Sequence, residues 1–120
     1  ENVGKCAVFQ SSDLPNDGYI YASYLIRLRP RKTDVDPIFL REFLLSVSGR
    51  RQLRAHAKTS AGQFNVNTEG IGAVMVPIPP LSLQREFANS VKVICRTKAN
   101  HQSSLAVLDT LLTSIRSGQL

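Results

Sequence analysis

The chain has 120 residues, of which 42% are hydrophobic and 20% charged, and its formal net charge is +6 at pH 7. This composition suits one globular domain with an appendage, and it excludes a low-complexity or charge-dominated disordered chain. Because the sequence contains neither an apolar run of membrane-spanning length nor a charged-then-apolar leader, we expect a soluble, intracellular protein. It begins with Glu1 rather than Met, so we also expect a piece of a longer polypeptide.

The first third of the sequence is rich in residues that favour strands. The stretches GKCAVF, from Gly4 to Phe9, and YIYASYLIRLRP, from Tyr19 to Pro30, are separated by residues typical of turns. We therefore predict two strands joined by a loop. Cys6 and Cys95 fit no metal-ligand spacing, and we expect both to be buried free thiols.

Two helices are predicted next. Asp36 is suited to the N-cap position and Pro37 to the first helical position of an amphipathic helix. Ser48 and Gly49 are expected to end that helix. A second, basic helix is then expected over Arg50 to Lys58.

The following stretch, TSAGQFNVNTEG, predicts a polar loop with a short strand around Phe64 to Val66. Asn67 is suited to capping a turn that starts at Thr68. A further strand is expected from Ala73 to Ile78, ending at three prolines that permit neither strand pairing nor a helix interior: Pro77, Pro79 and Pro80.

A heptad pattern follows the prolines. Positions spaced alternately by four and three residues form what we call the seam: Phe87, Val91, Ile94, Lys98, His101, Leu105, Leu108, Leu112 and Ile115. With Ser82 as N-cap and Gly118 as stop, the helix would have about 35 residues and a length of roughly 50 Å. Its apolar seam residues need a partner helix, in a second copy or in a missing part of the same polypeptide. The polar Lys98 and His101 are expected to specify register. The predicted fold class is α+β: mixed strands and short helices, then one long coiled-coil helix.

Positive charge is concentrated in one window. Between Arg27 and Lys58 there are nine basic residues and three acidic ones, a density typical of proteins that bind polyanions. The candidate phosphate contacts are Arg50, Arg51, Arg54 and Lys58. The candidate base contacts are Thr59, Gln63 and Asn65, although the two amides are equally suited to pairing with loop backbone groups.

Catalytic patterns are absent from the sequence. His56 and His101 are the only histidines, and neither lies in a nucleophile, metal or phosphate-binding motif. Asp34 and Asp36 are typical of turn and cap residues rather than of a carboxylate pair. We therefore expect no catalytic residue, no metal site and no cofactor in this chain, which would not itself be an enzyme.

Four stretches carry a family resemblance: LLSVSGR from Leu44, GQFNVN from Gly62, VPIPPLSLQREF from Val76, and SIRSGQL from Ser114. Together they resemble the DNA-specificity subunit of type I restriction-modification systems. In that family a target-recognition domain ends in a strand and a Pro-Leu-Pro-Pro-Leu-x-x-Gln motif, and a long helix follows. Leu83 departs from the pattern, because the family commonly has Glu before the Gln.

The resemblance implies a role in recognition. Residues 1–80 would be part of a DNA-binding target-recognition domain, and residues 81–120 the helix for coiled-coil pairing. Two such domains, at the ends of an antiparallel helix pair, would read a bipartite site in double-stranded DNA. Methylation subunits would bind S-adenosylmethionine, and restriction subunits would use ATP and Mg²⁺, in a prokaryotic cytoplasm. The alternative is a coiled-coil assembly module whose basic surface binds nucleic acid without sequence preference.

Overall fold

The computed structural model describes residues 4–9, 20–60 and 63–118. In chain order the elements are α1 (Pro37–Leu45), α2 (Val47–Ala55), β1 (Lys58–Ser60), β2 (Gln63–Asn65), α3 (Thr68–Gly72) and α4 (Leu81–Arg116). The chain divides into two compact units, Glu1–Arg85 and Glu86–Leu120. No helix within the described ranges combines the length and apolar content needed to cross a membrane.

The α+β prediction is wrong, because the described residues are mainly helical. Their only strands are β1 and β2, three residues each, which pair antiparallel as a small hairpin rather than a sheet layer. The strand-like stretches 4–9, 20–30 and 73–78 contain no regular secondary structure. A strand is stable only when it pairs and packs with neighbouring strands. A short stretch without such a neighbour therefore does not form a strand, even when its residues favour one. The loop expected at 10–18 lies outside the described residues.

Helix α1 begins as the sequence predicts. The Asp36 carboxylate accepts hydrogen bonds from the backbone N–H groups of Ile38 (2.8 Å) and Phe39 (3.2 Å). Pro37 follows at the first helical position, where its missing N–H has no cost. The side chains of Ile38 and Leu44 are buried.

Ser46, not Gly49, separates the first two helices. The Ser46 hydroxyl donates to the Phe43 carbonyl (2.6 Å) at the end of α1 and accepts from the Gly49 N–H (3.2 Å) in α2. Gly49 lies inside α2, where a Cβ would come within 2.1 Å of the Phe43 oxygen and 2.8 Å of the Leu44 Cα. The predicted helix end at Ser48 and Gly49 is therefore wrong: this glycine permits close approach of α1 to α2 rather than capping a helix.

The small core of the first unit lies where α1 and α2 pack together. Leu53 of α2 is buried there together with the buried α1 residues. Asn67 caps α3 as expected, accepting from the Gly70 N–H at 2.8 Å. An open apolar cavity of about 240 Å³ lies beside this core, lined by Leu28, Arg29, Pro30, Leu40, Leu44, Ile71, Val74 and Val76.

Gln84 makes the most extensive buried polar contact of this unit, and its side chain is fully buried. Its Oε1 accepts from the Asp36 N–H (2.9 Å). Its Nε2 donates to the carbonyl oxygens of Asp34 (3.0 Å) and Pro79 (2.7 Å). The amide thus joins the start of α1 to the prolines before α4, and we call these three bonds the Gln84 network.

Helix α4 has 36 residues, close to the predicted length. It begins at Leu81, so Ser82 lies within its first turn and is not the N-cap. After Ser117, Gly118 adopts the left-handed conformation (φ +68°) and donates its N–H to the Ile115 carbonyl (3.2 Å). A glycine in this conformation commonly ends a helix.

The Gln84 network predicts a large stability effect. Gln84→Leu would remove all three hydrogen bonds of this fully buried side chain, at about 1 kcal/mol each. We expect the free energy of unfolding to fall by about 3 kcal/mol or more, measured by urea denaturation followed by far-UV circular dichroism. The matched control is Gln102→Leu on the exposed surface of α4, which we expect to change stability by less than about 0.5 kcal/mol. Equal stability of the two variants would contradict the assigned role of Gln84.

Candidate nucleic-acid interface

Helix α2 places three arginines at the protein surface. Arg50, Arg51 and Arg54 are all exposed, while Leu53 on the same helix is buried. The Arg50 Nε donates to the Leu45 carbonyl at the end of α1 (3.0 Å). The helix therefore presents its cationic groups outward, an arrangement suited to contact with a polyanion.

The three acidic residues of the basic window have local partners. Asp34 lies 3.3 Å from the Arg31 guanidinium, Glu42 pairs with Arg41, and Asp36 caps α1. Each of these acidic groups thus has a role of its own close to its place in the sequence. The exposed basic residues of the window therefore outnumber its three acidic residues.

The hairpin contains the other predicted DNA contacts. Lys58 and Thr59 lie in β1, and Gln63 and Asn65 lie in β2. The backbone register pairs Lys58 with Asn65 and Ser60 with Gln63. The hairpin begins three residues after α2 ends, so the polypeptide brings the two groups of candidates close together in the chain. Their roles in DNA contact stay a prediction.

Gln52 holds α2 in place, a contact that the sequence analysis missed. Its Nε2 donates to the Met75 carbonyl (3.0 Å) and its Oε1 accepts from the Met75 N–H (2.8 Å). A glutamine among arginines on a basic helix carries no signal of such a contact, since Met75 lies 23 residues away. The basic helix is thereby fixed to the stretch before the prolines.

The cysteines and histidines form no chemical centre within the described ranges. Burial raises the pKa of the Cys6 thiol above its ordinary value, and the positive charge of Arg50 partly opposes that rise. Cys95 is exposed, so the expectation of burial is wrong for this residue. His56 and His101 are also exposed. The described residues contain no group of three or more His, Cys, Asp or Glu side chains that could hold a metal ion.

The seam residues lie on α4, mostly open to solvent. Six of its apolar side chains are between 45% and 65% exposed: Phe87, Ile94, Leu105, Leu108, Leu112 and Ile115. Val91 is partly buried, and Lys98 and His101 are exposed. An apolar row of this length on one helix is typical of a surface that pairs with another helix.

Comparison with known proteins finds a relative whose name indicates a function. The chain is 25% identical over 88 residues to a Methanocaldococcus jannaschii protein named "Putative type I restriction enzyme MjaX specificity subunit". The match covers 73% of this chain and 20% of the relative, so the chain spans about a fifth of that protein's length. No family model matches the chain, and no solved structure matches it either. The sequence is thus similar to part of a type I specificity subunit.

Proposed function

We propose that this chain is part of the DNA-specificity subunit of a type I restriction-modification system. The observation that carries the proposal is the match to the Methanocaldococcus jannaschii protein, which covers 73% of the chain. In this role the chain recognises a DNA sequence and performs no catalysis. Residues 1–80 contribute part of a target-recognition domain, and residues 81–120 the helix that pairs with a second helix.

The charge of α2 supports contact with DNA. Arg50, Arg51 and Arg54 are exposed, and lysine or arginine side chains that neutralise phosphates gain affinity by releasing bound counterions. Lys58 would add a further phosphate contact. Thr59, Gln63 and Asn65 would contact base edges from the hairpin, since Gln and Asn amides pair bidentately with adenine in the major groove.

The partners follow from the proposed role. A bipartite site in double-stranded DNA is the target, and methylation and restriction subunits assemble on the specificity subunit in a prokaryotic cytoplasm. S-adenosylmethionine, ATP and Mg²⁺ would be bound by those subunits and not by this chain. The partner of α4 is a helix in a second copy or in another part of the same polypeptide.

The exposed seam favours one alternative. Its apolar side chains would equally serve a coiled-coil assembly module with a basic surface that does not read sequence. Selection from a pool of random duplexes separates the two functions. A specificity subunit enriches a defined sequence, whereas an assembly module enriches none, and that second outcome would overturn the proposal.

The arginines of α2 generate a prediction about salt dependence. Replacing Arg50, Arg51 and Arg54 with Gln should weaken binding to the selected duplex and to random duplex alike, because phosphate contacts do not read sequence. The slope of log affinity against log salt concentration should fall in magnitude by roughly 0.9 for each phosphate that is no longer neutralised. Fluorescence anisotropy titrations at several salt concentrations measure both quantities.

A matched variant controls for the change in net charge. Lys92, Arg96 and Arg116 are exposed on α4, and replacing them with Gln also removes three positive charges. We expect this variant to keep the wild-type salt slope. Identical effects of the two variants would mean that α2 makes no contact of its own with DNA.

The seam generates a prediction about association. Leu108→Asp would place an unpaired charge in a helix–helix contact, and we expect it to weaken association by several kcal/mol. Thr110→Asp, also exposed on α4 but off the seam, is the control and should leave association unchanged. Analytical ultracentrifugation measures the dimer and monomer populations. A Leu108→Asp variant that dimerises as well as Thr110→Asp would show that the seam is not the contact.

A further inference from the structure

The segment from Arg27 to Lys32 carries a second concentration of positive charge, separate from α2. Four of its six residues are basic and exposed: Arg27, Arg29, Arg31 and Lys32. Arg31 lies 3.3 Å from the Asp34 carboxylate. In the part of the chain that the structure describes, the other three form no ion pair. This short segment therefore carries three further exposed cationic groups.

Apolar residues of the same segment line a cavity beside the core. Leu28 and Pro30 alternate with the basic residues and line the apolar cavity together with Leu40 and Leu44 of α1. Arg29 also lines this cavity, and it can do so with the methylene part of its side chain while its charged end stays in water. The segment thus borders the same cavity as α1 while its basic groups remain exposed.

The Gln84 network fixes the chain just after this segment. Gln84 accepts from the Asp36 N–H and donates to the Asp34 carbonyl, and Asp34 is two residues beyond Lys32. The backbone just after the basic groups is therefore held by hydrogen bonds to the buried Gln84 side chain. A binding segment that is already ordered loses less conformational entropy when its ligand binds.

We propose that Arg27, Arg29 and Lys32 bind phosphates of double-stranded DNA, as a second contact in addition to that of α2. The inference rests on the proposed function, because it takes DNA as the polyanion that this charge recognises. Arginine suits the role, since its planar guanidinium can donate two hydrogen bonds to one phosphate. The contact positions the domain on DNA and reads no sequence.

The test compares two variants of the full chain that lose the same charge. One carries Arg27→Gln, Arg29→Gln and Lys32→Gln, and the other carries Lys92→Gln, Arg96→Gln and Arg116→Gln on α4. Binding to duplex DNA is measured by anisotropy over a range of salt concentrations. We expect the first variant to lower the magnitude of the salt slope by roughly 0.9 per phosphate, about 2.7 in all, and the second to leave it unchanged. Equal slopes for the two variants would overturn the inference.

A charge-preserving variant separates phosphate contact from packing. Arg27→Lys with Arg29→Lys keeps both charges while changing the shape of the groups, so the salt slope should stay at the wild-type value. A slope as low as that of the Gln variant would show that these positions act through the cavity, and would also overturn the inference. Selection from random duplexes tests the proposed function independently. If selection yields a defined site while the Arg27, Arg29 and Lys32 variant binds normally, the inference alone fails.

Discussion

The first unit depends on one buried amide. Gln84 uses both of its N–H groups and its carbonyl oxygen on backbone groups of two separate stretches, at Asp34, Asp36 and Pro79. No other side chain fits these three partners: Asn would be shorter, Glu would lack the donors, and Leu would pair with none of them. The Gln of the Pro-Pro-Leu-x-x-Gln stretch is thus explained by structure, since it joins the prolines to the start of α1.

Side-chain amides satisfy backbone groups in the irregular stretches of this unit. Gln84 satisfies backbone groups around Asp36, and Gln52 satisfies both the N–H and the carbonyl of Met75. In a sheet such groups would pair with a neighbouring strand. The Gln84 bonds involve a fully buried side chain and the Gln52 bonds lie at the surface, and together they connect irregular stretches to α1 and α2. The basic surface of α2 rests on this arrangement.

The sequence predicted the elements whose signals are local. Asp36, Pro37, Asn67 and Gly118 stand at helix ends that hydrogen bonds between near neighbours define, and the heptad pattern predicted α4. The strands failed because strand formation depends on distant partners that propensity does not reveal. Gly49 was misread because its closest contacts belong to α1, and Gln52 was missed because its partner is 23 residues away. For the candidate site, the clustering of basic residues and the helical periodicity identified the arginines of α2. The long-range hydrogen bonds that position this helix could not be predicted from the sequence.

Hydrogen exchange at the Gln84 network tests the central structural claim most directly. In isotope-labelled protein, NMR can follow the two side-chain N–H protons of Gln84 and the backbone N–H of Asp36 after transfer to D₂O. Because all three are hydrogen-bonded and the Gln84 side chain is fully buried, we expect them to exchange slowly and only as the whole unit opens. Exchange of the Gln84 side chain as fast as that of the exposed Gln102 amide would contradict the role assigned to this network.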